Sequence, residues 1–243
     1  MRKFVYALLI GIITFGGSAF SQEFQTDIIK TMAGDLEITF IGHGTLMFKY
    51  QEKIIHVDPW ARLADYSKFP KADVILITHD HGDHLDPKAI ELVSKEGTEL
   101  LLTEKCYKQL KKGKIVRNGD YVPAAGLPIE AVPAYNTMAR KGNGKPYHPK
   151  GEGNGYVISF SDIRVYIGGD TEYYPDMEKM QLINIAILPM NLPYTMTPQM
   201  LAICAKVIKP QILYPYHYGD TKTGILVRLL MGSGIDVRIR DMK

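Results

Sequence analysis

The sequence predicts an α/β fold, a four-layer αββα sandwich in which two mixed β-sheets pack together and helices cover their outer faces. The first segments are short strands joined by tight turns, which is antiparallel in character. Both later parts of the chain alternate strand and helix patterns, as mixed sheets with outer helices require. No Pro- or Gly-rich boundary divides the chain, so residues 22–243 are expected to form one domain.

The N-terminal half begins with strands and continues with strands followed by helices. Val74–Ile77 is a continuous apolar run, which suits a strand buried on both faces. Asp86 is a good N-cap residue and Pro87 follows at the first helical position, so a helix is expected to begin there. The elements expected in this half are strands at 36–41, 45–50, 53–57, 74–77, 100–103 and 129–133, and helices at 87–94 and 104–112.

The C-terminal half follows a long loop and uses the same signals. Ser161 and Asp162 separate two apolar runs, which indicates a hairpin. Thr197 and Pro198 repeat the pairing of an N-cap residue with proline ahead of a helix. The elements expected here are a loop at 135–153, strands at 156–160, 164–168, 185–188, 212–214 and 236–240, and helices at 198–208 and 224–231.

The composition is that of an ordinary globular protein. With 46% hydrophobic and 23% charged residues, the chain of 243 residues is neither disordered nor a multi-span membrane protein. The formal net charge is +3, and no basic stripe makes nucleic acid an obligatory partner. Cys106 and Cys204 are expected to be separate buried thiols, since a disulfide needs Cα atoms within about 7 Å.

The N-terminus has the pattern of a signal peptide. Residues 1–3 are positively charged, residues 4–15 are apolar, and Ala19 and Ser21 occupy the small positions of a cleavage site. Cleavage before Gln22 would export the protein to the periplasm or the medium. The apolar run is shorter than the roughly 20 residues of a membrane-spanning helix, although an uncleaved anchor is the alternative.

The segment at residues 79–84 carries the strongest chemical signal. Three of the 7 histidines, His79, His81 and His84, fall there together with Asp83, between a buried strand and a capped helix. Neutral imidazoles and carboxylates suit zinc, iron and related ions. His79 and His81 can turn towards one ion, and Asp83 and His84 towards a second, as two-metal hydrolytic sites require. A solvated polar turn would not need so many histidines.

This H-x-H-x-D-H motif resembles the signature of the metallo-β-lactamase-fold hydrolases. Asp58 is similar to the buried aspartate beneath the metal loop of that family, and residues 168–171 are similar to its G-D-T segment. The resemblance covers about residues 35–240. It implies that Asp170 bridges two metal ions and that His217 binds the second of them.

The resemblance leaves one metal ligand open. The family has a histidine between the motif and the bridging aspartate, often directly after a strand. Here the strand ends before Tyr135 and Asn136, and His148 is the candidate within the interval. His148 is therefore expected to be the third ligand of the first metal, with Asn136 or water as the alternative.

Two histidines outside this set are expected to be structural. His43 lies in Ile41–Gly44, which is similar to the I-G-H start of the ascorbate-phosphate-lactonase-like branch of metal-dependent hydrolases. His43 is expected to stabilise its turn or to support a ligand. His56 is expected to pack within a strand.

The resemblance implies a hydrolase with two divalent ions, zinc in the first place and iron or manganese as alternatives. A metal-activated hydroxide would cleave an ester, lactone, amide or phosphodiester in a small-molecule substrate. Asp83 is the expected catalytic residue, because it can orient this nucleophile. A mononuclear iron oxygenase and a non-catalytic metal-binding protein on the same fold are the alternatives.

The long loop is expected to form one wall of the cleft. Its cations would favour an anionic substrate, although a solvated basic loop is the alternative. Three tyrosines could line the pocket or could simply be packed. The residues concerned are the cations Arg140, Lys141, Lys145 and Lys150 and the tyrosines Tyr194, Tyr216 and Tyr218.

Overall fold

The computed structural model describes residues 23–180 and 182–243. The expected signal peptide, residues 1–21, lies outside the described residues, so export stays a prediction. Among the described residues, none of the helices combines the length and the apolar character that a membrane crossing needs.

The first sheet holds the strands from β1 to β7 in the order of the chain. The strands β1 to β4 pair antiparallel, and β4 to β7 pair parallel. The bounds are β1 (Gln25–Thr31), β2 (Gly34–Gly42), β3 (Thr45–Tyr50), β4 (Lys53–Val57), β5 (Val74–Leu76), β6 (Glu99–Leu102) and β7 (Lys114–Ile115).

The second sheet repeats this arrangement, antiparallel from β8 to β11 and parallel from β11 to β14. Its strands are β8 (Tyr121–Ala124), β9 (Leu127–Ala134), β10 (Gly153–Phe160), β11 (Ile163–Ile167), β12 (Ile185–Pro189), β13 (Ile212–Tyr216) and β14 (Asp236–Val237).

The helices are α1 (Pro87–Val93), α2 (Glu104–Leu110), α3 (Pro198–Ile208) and α4 (Thr223–Leu229), with 3-10 turns at Tyr66–Lys68 and Pro175–Lys179. The predicted α/β sandwich of two mixed sheets is confirmed.

The strand β5 shows how the layers pack. Its residues alternate between two apolar clusters, because successive side chains of a strand point to opposite faces. Val74 and Leu76 belong to the core that both sheets share. Ile75 and the following Ile77 pack in a second cluster with Ile90 of α1. Burial on both faces is the reason for the continuous apolar run.

The caps of two helices form as predicted. The Asp86 carboxylate accepts hydrogen bonds from the backbone N–H groups of Lys88 and Ala89 at 2.9 and 3.2 Å. Thr197 Oγ1 accepts from the backbone N–H of Met200 at 3.1 Å. Both caps follow strand-end loops, so they fix where those loops end.

Three strands were not predicted, and several boundaries differ, most of all the start of β10 at Gly153 and the end of the last strand. The short strands β7 and β8 and the edge strand β1 were not expected, because each lacks a clear alternating apolar pattern. The last strand ends at Val237 rather than at residue 240. Beyond it, Arg238 and Arg240 turn their side chains to the buried Asp27 of β1. The two cysteines are buried and free, as predicted.

His56 of β4 is fully buried, and its Nε2 donates to the Pro70 carbonyl at 3.1 Å. Burial lowers the pKa of His56 to about 4, against a smaller opposing effect of that carbonyl. The unfolded chain therefore binds a proton below pH 6.5 that the folded chain excludes down to about pH 4. Because the unfolded state holds more protons, the unfolding free energy decreases as the pH is lowered from 6.5 to about 4.

His56→Gln keeps a donor towards Pro70 but does not titrate. The wild type is expected to lose roughly 3 kcal/mol of unfolding free energy relative to this variant between pH 7 and pH 4. Urea unfolding at several pH values measures the difference. Parallel pH profiles of the two proteins would contradict it.

Candidate metal centre

The loops that follow β4, β5, β11 and β13 meet at one end of the sandwich. Asp58 directly follows β4, and the 79–84 segment follows β5 after Ile77 and Thr78. Asp170 lies just beyond β11, and His217 directly follows β13. Neighbouring parallel strands end at the same edge of their sheet, so these polar side chains converge.

The first group of side chains brings three histidines together beside Asp170. The potential ligand atoms of His79, His81 and His148 all lie within 4.8 Å of one another. His148 Nε2 lies 3.3 Å from His81 Nδ1 and 3.2 Å from Asp170 Oδ2. His79 Nε2 lies 4.0 Å from the same carboxylate oxygen. The four atoms surround a small space that a single ion can fill.

The second group lies on the other side of Asp170. Asp83 Oδ2 lies 3.7 Å from His84 Nε2 and 3.6 Å from His217 Nε2. Asp170 Oδ1 lies 3.6 Å from each of these two nitrogens. Ligands about 2.1 Å from a tetrahedral zinc ion stand roughly 3.4 Å apart, so the spacing of this group suits such an ion.

Hydrogen bonds fix the orientation of three of the imidazoles. In each case Nδ1 faces an acceptor, so in the neutral imidazole it carries the proton and Nε2 keeps its lone pair for a cation. The pairs are His79 with Thr78 Oγ1 at 3.0 Å, His84 with Asp58 Oδ2 at 2.8 Å and His148 with Asn136 Oδ1 at 3.0 Å. Asn136 thus lies behind His148 and does not replace it in the group.

Four of the converging atoms lack a hydrogen-bond partner among the described residues although they are buried. They are Nε2 of His79, His84 and His217, and Oδ1 of Asp170. Buried polar atoms are nearly always paired, since an unpaired one costs free energy. Divalent cations in the two groups would satisfy all four, and imidazoles with carboxylates are suitable donors for them. The residues present therefore fit a metal centre.

The comparisons with known proteins agree with this geometry. The family model described as the beta-lactamase superfamily domain matches residues 37–217. The chain belongs to the metallo-β-lactamase superfamily. A UPF0173 metal-dependent hydrolase from Thermococcus kodakarensis is 29% identical over 75% of this chain and 84% of its own length. One from Koribacter versatilis is 30% identical over 76% of this chain and 84% of its own length.

Solved structures of metal-dependent hydrolases are similar as well. The crystal structure of a protein described as a metal-dependent hydrolase from Parabacteroides distasonis is 53% identical, with a TM-score of 0.87. It covers 90% of this chain and 100% of its own. A metallo-hydrolase of Ignicoccus hospitalis shares the fold at 24% identity and a TM-score of 0.70, over 84% of this chain and 94% of its own. The present chain is thus a metal-dependent hydrolase.

The electrostatics of this hydrolase centre depend on burial and on close neighbours. Burial, with the neighbouring imidazole of His84, lowers the pKa of His79 well below its usual value. Burial also lowers the pKa of His84, but the carboxylates of Asp170 and Asp58 raise it to about 9. Burial raises the pKa of Asp170, yet the imidazoles of His217 and His84 hold it well below its usual range. The Asp170 carboxylate is therefore ionised, as a metal ligand must be.

His43 lies closer to the second group than the sequence indicated. Its Nε2 is 3.0 Å from Asp83 Oδ2, and its carbonyl accepts the backbone N–H of His217 at 2.9 Å. Its ring centroid lies 3.7 Å from that of His217. His43 is thus placed beside Asp83, and its ligand atom lies within 4.8 Å of those of Asp83, His84 and His217, so its structural or supporting role stays a prediction.

Two further residues of the centre were not found from the sequence. The side-chain amide of Asn191 lies 3.1 Å from Nδ1 of His217, and the carboxylate of Glu172 holds the segment that follows Asn136. Asn191 comes just after the buried strand β12, at the same strand edge as the ligands. That position could have identified it. Glu172 lies two residues beyond Asp170 and has no comparable signal.

A cavity of about 200 Å³ opens beside the first group. Of the four expected loop cations, Lys141 lines this cavity. Lys105 of α2, which is not one of the four, lines it too and pairs with Glu152 at 2.5 Å. Arg140 instead donates to carbonyls of its own loop. Lys145 and Lys150 do not line the cavity, and Lys150 lies over the ring of Tyr135.

None of the three tyrosines that could have lined the pocket lines this cavity, and two of them are packed, which was the alternative. Tyr216 and Tyr218 are buried and pack in the core, so neither lines the cavity. Tyr194 is 43% exposed, and its ring meets that of Tyr147 edge-on at 5.0 Å. Tyr147 itself lines the cavity.

Proposed function

We propose that this hydrolase uses two divalent ions, zinc in the first place, to cleave an ester, lactone, amide or phosphodiester bond of a small anionic substrate. The observation that carries the proposal is the placement of Asp170, whose two carboxylate oxygens face two different groups of ligand atoms. The residues that would hold the ions are His79, His81 and His148 for the first, Asp83, His84 and His217 for the second, and Asp170 for both.

Divalent ions held there would polarise the substrate oxygen and lower the pKa of a water molecule towards neutrality. Asp83 reaches the solvent, with 33% of its side chain exposed. Although burial raises the pKa of Asp83, the neighbouring imidazoles of His217 and His43 hold it well below its usual range. The ionised carboxylate can accept a hydrogen bond from the attacking water and orient it towards the substrate.

The position of Lys141 supports the proposal that the substrate is anionic. It lines the cavity beside His148, and within the described part of the chain it has no carboxylate partner. Lys105 is neutralised by Glu152, so Lys141 is the cation left to attract a negative group of the substrate. Tyr147 offers an aromatic surface next to it.

His148→Ala is expected to lower the metal content of the purified protein from about two equivalents to about one. The imidazole contributes to the first group alone, so the second group keeps its ligands. Elemental analysis after dialysis without chelator measures the content, with Lys145→Ala on the same loop as the control. An unchanged content would contradict the assignment of His148, and one equivalent of iron in the wild type would favour the oxygenase alternative.

Paired substrates test the proposed reaction. Each pair combines a neutral aryl ester or lactone with an analogue that carries one carboxylate or phosphate, and an aryl phosphodiester is added. Metal-loaded wild type is expected to hydrolyse the anionic member of a pair with the higher kcat/KM, and His148→Ala is expected to lose this activity. Absence of turnover on every compound by a protein that holds two equivalents would favour a non-catalytic role.

A further inference from the structure

His148 differs from the other candidate ligands in how the fold places it. His79, Asp170 and His217 follow closely after the ends of parallel strands, and the sheets fix their positions. His148 lies within the 135–152 loop, which connects β9 to β10, and precedes the first residue of β10 by five positions. No strand or helix fixes this part of the backbone, so other contacts must determine where the imidazole lies.

Glu172 holds the start of this loop. Its side chain is buried, with 1% of the residue exposed. The carboxylate accepts hydrogen bonds from the backbone N–H groups of Thr137, Met138 and Ala139 at 2.7, 2.6 and 2.8 Å, and from Thr137 Oγ1 at 2.9 Å. Successive backbone N–H groups form a concave site for an anion. A buried carboxylate with four donors is well stabilised, so the loop is fastened to the turn that carries Asp170.

Asn136 connects this fastened segment to the imidazole. Its Oδ1 accepts both the backbone N–H of His148 at 2.6 Å and the ring Nδ1–H at 3.0 Å. Its own backbone N–H donates to the His148 carbonyl at 2.9 Å, and its Nδ2 donates to the Tyr194 carbonyl at 2.8 Å. The backbone and the ring of His148 are thus fixed from one side, with Nε2 directed to Asp170.

We propose that Glu172 and Asn136 are positioning residues that set the affinity of the first metal group through His148. This inference rests on the proposed function, because it assumes that His148 is a ligand. The second group is made entirely of residues that follow strand ends or belong to the 79–84 segment. Its affinity for a metal ion therefore does not depend on the 135–152 loop. The two groups should therefore respond differently when this loop is released.

Glu172→Gln tests the first half of the proposal. The amide keeps the size of the side chain, but its NH₂ group is itself a donor. It would face backbone N–H groups whose hydrogen bonds the carboxylate accepts. Co²⁺ titration of the metal-stripped chain, followed by the visible absorption of the ion, is expected to show one unchanged equivalent and a second bound about 10- to 100-fold more weakly. Glu178→Gln, an exposed substitution on the same segment, is the control and should bind both ions as the wild type does.

Asn136 offers a conservative pair of variants. Asn136→Ala removes the acceptor of His148 and is expected to weaken the same equivalent, whereas Asn136→Asp keeps an acceptor for Nδ1–H and should bind closer to the wild type. Circular dichroism confirms that each variant is folded. A merely structural role would give equal losses at both equivalents, or the same loss in both Asn136 variants, and would overturn the proposal.

The number of ions that the wild type binds distinguishes failure of the two-metal function from failure of the positioning role. Two equivalents in the wild type with unchanged affinities in Glu172→Gln would overturn the positioning role and leave the proposed function standing. A single equivalent in the wild type would overturn the paired-metal function and the positioning role with it. Because the readout is metal binding, neither result depends on knowing the substrate.

Discussion

Asp170→Asn is expected to reduce metal binding to at most one equivalent and to lower kcat/KM by more than about 100-fold. Loss of residues that only support metal ligands costs about 10- to 100-fold in affinity or activity, so loss of a shared ligand should exceed that range. The carboxylate places Oδ1 between His84 and His217 and Oδ2 beside His148. An amide has one oxygen, and its NH₂ group would face one of the two groups with donors instead of lone pairs.

Asp80→Asn is the matched control for this substitution. Asp80 lines the same cavity and lies next to His79 in the chain, but its side chain hydrogen bonds Gln109 rather than the histidine groups. Elemental analysis and steady-state kinetics on the best anionic substrate measure both variants. Two equivalents and wild-type kinetics in Asp170→Asn would contradict the bridging role, and equal losses in Asp80→Asn would point to a general effect of charge.

The candidate site could be predicted from the sequence because its residues lie at strand ends. A buried strand is visible as an apolar run, and polar residues directly after it have few structural reasons to be there. That reasoning, with the family resemblance, located the 79–84 segment, Asp170 and His217. His148 was named as well, but the contacts that fix a ligand within a loop could not be derived from the sequence. Asn136 was named only as an alternative ligand, because its bond to His148 depends on the tertiary structure, and no local pattern marks Glu172.

The missed strand β1 has a similar cause. Its Asp27 is buried, although aspartate is a poor strand residue and breaks the apolar pattern. The carboxylate accepts from Tyr214 at 2.6 Å and pairs with Arg240 at 2.7 Å, both near the other end of the chain. A buried charge is tolerated only with such partners, and these partners reach Asp27 only in the complete fold. The alternation that predicts most strands therefore fails at β1.

Asp58→Ala is expected to lower the unfolding free energy by about 3 to 5 kcal/mol, the range for breaking a buried charged pair by removal of one partner. Asp58 is fully buried, and its carboxylate accepts from Thr78 N at 2.8 Å, Thr78 Oγ1 at 2.6 Å and His84 Nδ1 at 2.8 Å. Alanine would leave these donors buried without a partner. Asp73→Asn is the control, since Asp73 also accepts a backbone N–H but is only half-buried and distant from the motif loop.

Asp58→Asn separates the stability of the fold from the affinity for metal. The amide can accept from Thr78, but it no longer presents two oxygens, so the Nδ1–H of His84 loses a charged acceptor and the imidazole is less firmly oriented. Co²⁺ titration is expected to show about a 10- to 100-fold loss at the second group, with the first group retained. This is the reverse of the pattern expected for Glu172→Gln. If both variants weakened the same equivalent, the division of ligands between two groups would be wrong, because Asp58 hydrogen-bonds His84 directly, whereas Glu172 fixes the loop segment whose Asn136 hydrogen-bonds His148.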